Sequence, residues 1–205
     1  MFFEYGKKEV NYLKSKDKKL SAVIEKIGYI ERKIEPDLFS AIIYNIIGQQ
    51  ISSKAQATIC KRLFDSLGFL TPEKIFSSDK ETLQSFGISS RKTEYIKNFA
   101  EKIVSGEFDL NAVKKMSDGD AISTLTSLKG VGVWTAEMTL LFCLQRKNIF
   151  SFKDFGIRRG LCKLYCCEEI TSEFFERCRK KFSPYCSVAS LYLWEIAGGN
   201  FEDDA

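Results

Sequence analysis

Two short stretches carry residues whose types and spacing suit chemistry. In "FSFKDFGIRRG", Asp154 precedes Ile157, Leu161 and Leu164, an apolar set at helical spacing. A carboxylate in that place sits at a helix N-terminus, where unpaired amides and the helix dipole favour negative charge. Such a group can stabilise a developing cation or activate water. It can also be an ordinary N-cap, and the two readings are compatible. In "SLKGVGVWTAEM", residues 127–138, Gly130 and Gly132 bound a turn between two helix-like runs. Glycines adopt backbone angles closed to other residues and let a second backbone come close. Amides of the turn, and of the next helix's first turn, then point outward at a positive helix end. That is an anion cradle, and a nucleic-acid phosphate suits it best. The plain alternative is an αα-hairpin with a glycine turn.

Composition narrows the chemistry further. The chain has no histidine. Ser–His and Cys–His nucleophile pairs, His-based zinc sites and imidazole acid–base work are therefore excluded. Catalysis must come from carboxylates, lysines, tyrosines, thiols or a bound metal. A net charge of +4 over 205 residues permits a polyanionic partner without demanding one. No apolar run is long enough to span a membrane, and "MFFEYGKKEV" lacks the apolar core of a leader. The expected setting is cytoplasmic, nucleoid-associated if the source is bacterial. Five of the seven cysteines fall late, at 162, 166, 167, 178 and 186. They read as reduced, mostly buried thiols of a reducing compartment.

The elements that must position Asp154 and the glycine turn are helices. Strand-like alternation is scarce and helical periodicity common, so the fold class is all-α. Residues 7–19 are lysine-rich, and Leu13, Leu20, Ile24 and Ile27 mark an apolar face that Gly28 ends. Pro36 fits a first helical turn. Leu38, Ile42, Ile43, Ile46 and Ile47 follow as a broad buried face up to Gly48. "QQIS" interrupts, a serine at 52 or 53 caps the next helix, and that helix runs on Ala55, Ile59 and Leu63 to Gly68. Further helices are expected around Tyr95, Ile96, Phe99 and Ile103, over 120–128, from Trp134 to Leu144, from Asp154, and over about 172–182 and 187–197. The acidic tail "NFEDDA" reads as frayed.

"LKGVGVWTAEM" resembles the helix-hairpin-helix motif, which by itself also occurs in DNA-binding modules without catalysis. Asp154 follows Gly132 by 22 positions. Hairpin plus downstream Asp at a helix start resembles the helix-hairpin-helix DNA glycosylase superfamily. "GQQISSKAQAT", "SSRKTEYIKNFAEKIVSGEFDL" and "SLYLWEIAG" are similar to its 3-methyladenine DNA glycosylase II branch. The resemblance runs from about residue 10 to residue 199.

It implies a two-lobed helical fold with a central cleft, lacking the N-terminal β-rich domain of larger relatives. Residues 36–150 would form one lobe, and 1–35 with 151–205 the other. It implies a monofunctional enzyme that flips an alkylated purine out of double-stranded DNA and hydrolyses its N-glycosidic bond. Asp154 would be the catalytic carboxylate. Trp134, Trp194, Tyr44 and Met138 would line the base pocket, and Gln50, with Gln49 beside it, would fill the gap left in the DNA. Amides of Gly130, Gly132 and Val133, with Lys129 and Lys92, would hold phosphate. Carbonyls of Thr126, Leu128 and Val131 would ligate a Na+ or K+ ion. Arg91, Arg158 and Arg159 are further phosphate candidates. No cofactor is expected for the chemistry. The gaps between the late cysteines do not fit the superfamily's iron–sulfur run. The protein is expected to act as a monomer, off the membrane. An oxidised-purine glycosylase/lyase and a non-catalytic DNA-binding module stay open as alternatives. The lyase would need a lysine, and Trp134 stands where such relatives carry theirs; Lys129 and Lys153 lie near in sequence.

Overall fold

In the computed structural model, which describes residues 1–199, thirteen α-helices account for the regular structure among the described residues. The tail at 200–205 lies outside them. The chain divides into two compact units.

The unit Glu35–Leu144 is built round α3 (Leu38–Gly48). Leu38, Phe39, Ala41, Ile42, Ile43, Ile46 and Ile47 are all buried, so this helix is apolar nearly all round and must be central. It packs against α4 (Ser53–Leu67), α7 (Ser90–Val104) and α10 (Val133–Phe142). Phe39 stacks on Phe99 of α7 with ring centroids 5.2 Å apart. Pro36 lies just outside the helix rather than in its first turn: Asp37 is the cap and accepts the Ser40 N–H at 2.8 Å. Short helices α5 (Pro72–Ser77), α6 (Lys80–Ser85) and α8 (Leu110–Lys115) precede α9 (Asp118–Thr126). The helices from α3 to α9 all start on an Asp, Ser or Thr whose side chain accepts an amide of the first turn. Each such cap is worth about 1 kcal/mol. Helix α10 departs from the pattern, because its cap is Gly132 and no side chain accepts there.

The other unit holds residues 1–34 and the chain from Gln145 onward. Its helices are α1 (Lys7–Lys16), α2 (Lys18–Ile27), α11 (Phe155–Tyr165), α12 (Ser172–Phe182) and α13 (Cys186–Gly198). The N-terminal run expected as one apolar helix face breaks at Asp17, which ends α1 and caps α2. Lys7, Lys8, Lys16, Lys18 and Lys19 are exposed, as a solvated helix face requires. Residues before α1 are extended: Phe2 bridges Lys33 in antiparallel fashion, and Phe3 N–H donates to the Arg32 carbonyl at 2.8 Å. Helix α13 is buried from Cys186 to Leu193 and packs along α11. The contact is backbone-close. A Cβ on Gly160 would lie 2.2 Å from the Leu193 carbonyl oxygen.

Asp17 knots α1, α2, α11 and α12 together. Its carboxylate accepts from the Leu20 N–H at 2.9 Å, the Tyr165 hydroxyl at 2.5 Å and the Lys181 ammonium at 2.7 Å. Burial pushes the carboxyl up, but these three donors outweigh it and hold it below the usual carboxylate range. A carboxyl held low stabilises the fold at pH values above its unfolded value, about 3.9, and that stability drains as pH falls through the folded value. Asp17→Asn should therefore cost about 2 kcal/mol at pH 7, with the gap to wild type closing below about pH 4. Urea unfolding of both proteins at pH 7 and pH 3 measures this.

Candidate nucleic-acid interface and carboxylate site

The glycine turn is closed by the Val131 N–H, which donates to the Leu128 carbonyl at 3.1 Å. Leu128 and Val131 are buried and pin the turn from beneath. Gly130 adopts φ +83, and a Cβ there would lie 2.1 Å from the Tyr95 ring of α7. This glycine is demanded twice, by its backbone angle and by its neighbour. Gly132 differs. Its φ of −88 suits any residue, and a Cβ there would meet nothing within 4 Å. No requirement of the fold puts a glycine at 132. Exposed Val133 and Trp134 follow it in the first turn of α10. The cradle is thus a helix start with no capping side chain and an open approach.

The end of α3 braces this turn. The Gln49 carboxamide Nε2 donates to the Gly130 carbonyl at 2.7 Å and to Thr135 Oγ1 at 3.3 Å. Lys92 Nζ donates to the carbonyls of Ile47 and Gln49, each at 2.7 Å. The ammonium of Lys92, a residue expected to hold phosphate, here serves the unpaired C-terminal carbonyls of α3. Burial, then Arg91 beside it, lowers the Lys92 pKa. Gln50 is exposed and sits at φ +57, left-handed for a non-glycine. The two glutamines are therefore distinct: one fastens the hairpin and the other is presented outward. Met138 is buried and Tyr44 half-buried, on α10 and α3, two helices that pack together. Lys129 and Arg91 are exposed. The fastening roles of Tyr95 and Thr135 were not foreseen. Tyr95 gave only an inward-facing position at helical spacing, which does not say what it touches.

Thr126 is the last residue of α9, and Leu128 and Val131 lie in the turn that follows, so their carbonyls are near in sequence. They are neutral, hard oxygens of the kind a monovalent cation prefers. Among the described residues no group of three His, Cys, Asp or Glu side chains is placed to hold a metal.

In the other unit, Asp154 is 7 % exposed and caps α11. Its Oδ1 accepts the Ile157 N–H at 2.8 Å and the Trp194 Nε1–H at 2.9 Å. Trp194, expected in the base pocket, thus orients the carboxylate within its own unit, reaching it from α13. A Cβ on Gly156 would lie 2.6 Å from Trp194 Cδ1, so this glycine leaves room for the indole. The Arg32 guanidinium covers the Trp194 ring at 5.7 Å, a cation–π contact. Around Asp154, Lys153 and Arg159 are exposed and Arg158 half-buried, with its guanidinium 5.6 Å over Phe152. A carboxylate fixed at a helix start by a main-chain amide and an indole N–H suits a positively charged transition state.

The family model for HhH-GPD superfamily base excision DNA repair proteins matches residues 43–184. The chain belongs to this superfamily. Among its members, DNA-3-methyladenine glycosylase 1 of Schizosaccharomyces pombe is 32 % identical over 171 residues, 80 % of this chain and 74 % of that protein. A crystal structure of DNA-3-methyladenine glycosidase from Bacillus halodurans superposes with a TM-score of 0.83 at 33 % identity, covering 97 % of this chain and 93 % of that one. The Schizosaccharomyces pombe 3-methyladenine DNA glycosylase in complex with abasic DNA gives 0.84 at 28 % identity, covering 97 % and 99 %. The all-α fold is that of these superfamily members. No helix among the described residues is long and apolar enough to cross a membrane.

Proposed function

We propose that this protein is a monofunctional DNA glycosylase that removes alkylated purines of the 3-methyladenine and 7-methylguanine type from double-stranded DNA. The observation that carries the reading is Asp154, buried at the cap of α11 and oriented by the Trp194 indole at 2.9 Å. Membership of a base-excision superfamily supports it.

A purine in a duplex is out of reach and must be extruded, at a cost of a few kcal/mol that is lower for damaged pairs. The amides of Gly130, Gly132 and Val133, with Lys129, hold a phosphate beside the lesion. Gln50 enters the gap in the stack, since Gln49 is committed to the hairpin. An N-alkylated purine is cationic and already a good leaving group, so the reaction tolerates a chain without histidine. A cationic ring favours an aromatic face by about 0.5–2 kcal/mol. Trp134 supplies that face, and Tyr44 and Met138 limit what fits beside it. The carbon–nitrogen bond breaks with its electron pair going to the base. The Asp154 carboxylate stabilises the cationic sugar that remains. Water then adds to the anomeric carbon and gives up its proton, leaving an abasic site. Carbonyls of Thr126, Leu128 and Val131 would seat a Na+ or K+ ion, which supplies fixed positive charge at the phosphate. The enzyme acts as a monomer.

Duplex DNA treated with a methylating agent tests this. Released 3-methyladenine or 7-methylguanine, with abasic sites and uncut strands, is the expected result. Borohydride trapping of a protein–DNA adduct would instead show a lysine-dependent lyase.

A further inference from the structure

Three of the seven cysteines meet at the C-terminal end of α11. Cys166 is its left-handed cap, at φ 54 and ψ 49. The Cys167 N–H donates to the Cys162 carbonyl at 3.0 Å. This is the six-to-one bond of a Schellman ending, in which the residues at its two ends bring their side chains together. Here both ends are cysteine, and the Cys162 Sγ points back over the same ending, 3.6 Å from the Glu168 carbonyl oxygen.

Backbone geometry limits how far apart they can be. A carbonyl oxygen lies about 2.4 Å from its own Cα and an amide nitrogen about 1.46 Å from its Cα. With the 3.0 Å hydrogen bond between them, the two Cα atoms are at most about 6.9 Å apart, and closer with any bend. Disulfides span about 4.4–6.8 Å. The neighbouring pair Cys166–Cys167 falls short of that range, since consecutive Cα atoms are about 3.8 Å apart. Cys166 also turns its Sγ toward the Lys163 carbonyl, 3.8 Å away.

The other thiols are placed differently. Cys143, Cys178 and Cys186 are buried, and Cys60 is half-buried. Burial pushes these up to about 12, 11, 12 and 11 respectively, far from the thiolate form. Cys162 and Cys167 are both part-exposed, and burial raises the Cys162 thiol as well. Three of the seven thiols are buried, so the expectation of mostly buried thiols is not met.

We propose that Cys162 and Cys167 are a covalent modification site, an oxidisable dithiol that exchanges with low-molecular-weight disulfides of the glutathione type. The Cys167 thiolate attacks one sulfur of the oxidised glutathione. A mixed disulfide forms on Cys167 and one glutathione thiolate leaves. The Cys162 sulfur, giving its proton to solvent, then attacks the Cys167 sulfur and expels the second. Two protein thiols are oxidised and one small disulfide is reduced to two thiols. The product staples the last turn of α11 to the segment that follows.

The full chain is incubated with excess oxidised glutathione, quenched with iodoacetamide and digested with trypsin without reduction. Cleavage after Lys163 separates Cys162 from Cys166 and Cys167, so a cross-link joins two peptides that part on reduction. Fragment masses then distinguish 166 from 167. A Cys162–Cys167 link in wild type and in Cys166→Ser is expected. Cys162→Ser should stop at a glutathione adduct on Cys167. The oxidised protein should melt about 5 °C higher than the reduced one. A link through Cys166, a cross-link between chains, or full alkylation of all three thiols would overturn the proposal. The wild-type and Cys166→Ser maps decide it even where Cys162→Ser or Cys167→Ser does not fold.

Discussion

Asp154→Asn slows base release from methylated duplex DNA by on the order of 10³-fold, while the melting temperature and DNA affinity stay close to wild type. The expectation rests on what asparagine keeps. Its Oδ1 still accepts the Ile157 N–H and the Trp194 indole, so the α11 cap and the α11–α13 contact survive. What goes is the negative charge, whose attraction for the cationic sugar is largest in the transition state. Single-turnover release, read beside a thermal melt and a binding curve, measures all three quantities. If Asp154 were only a cap, asparagine would serve as well, and release would match wild type. That result would make the hairpin a DNA grip without chemistry.

The second large effect separates the two glycines of the hairpin. Gly130→Ala is expected to cost about 3 kcal/mol, a fall of roughly 10 °C in melting temperature. An alanine there must hold φ +83 and push its Cβ into the Tyr95 ring. Gly132→Ala meets neither obstacle and should change stability by less than about 1 kcal/mol. Its methyl stands instead in the approach to an uncapped helix start. DNA affinity should fall about tenfold, since a phosphate loses its close amide contacts. Thermal melts and fluorescence-anisotropy titrations of the two variants carry the comparison. Equal stability losses would assign both glycines to folding alone.

How much the sequence disclosed depends on the range of the interaction. Helix ends were legible because caps act within four residues: Ser52, Asp154 and Gly28 all mark the boundaries found. Long helices showed their period. Helices α5, α6 and α8, six residues each, are too short to show one. Pro36 misplaced a boundary by two residues because proline suits both the first helical turn and the approach to it. The cap position of Asp154 and the tight turn at Gly130 were readable from residue type and local context. Division of labour between like residues was not. Gln49 and Gln50 are adjacent and chemically identical, and only the hairpin arriving from 81 residues away tells them apart. Lys92 looks like any surface lysine until the end of α3 is set beside it. Trp194 reads as a pocket residue, and only the structure shows its indole N–H finding Asp154 from 40 residues away.

The meeting of Gly160 with the Leu193 carbonyl bears on how such an enzyme can diverge. Where main chain rests on main chain, no side-chain substitution elsewhere can loosen or tighten the fit. The rung between α11 and α13 works as a fixed gauge, and Asp154 and Trp194 hang from its two rails. The carboxylate keeps its setting as long as that rung is kept. The constraint is borne by one glycine, whose missing side chain is its whole contribution.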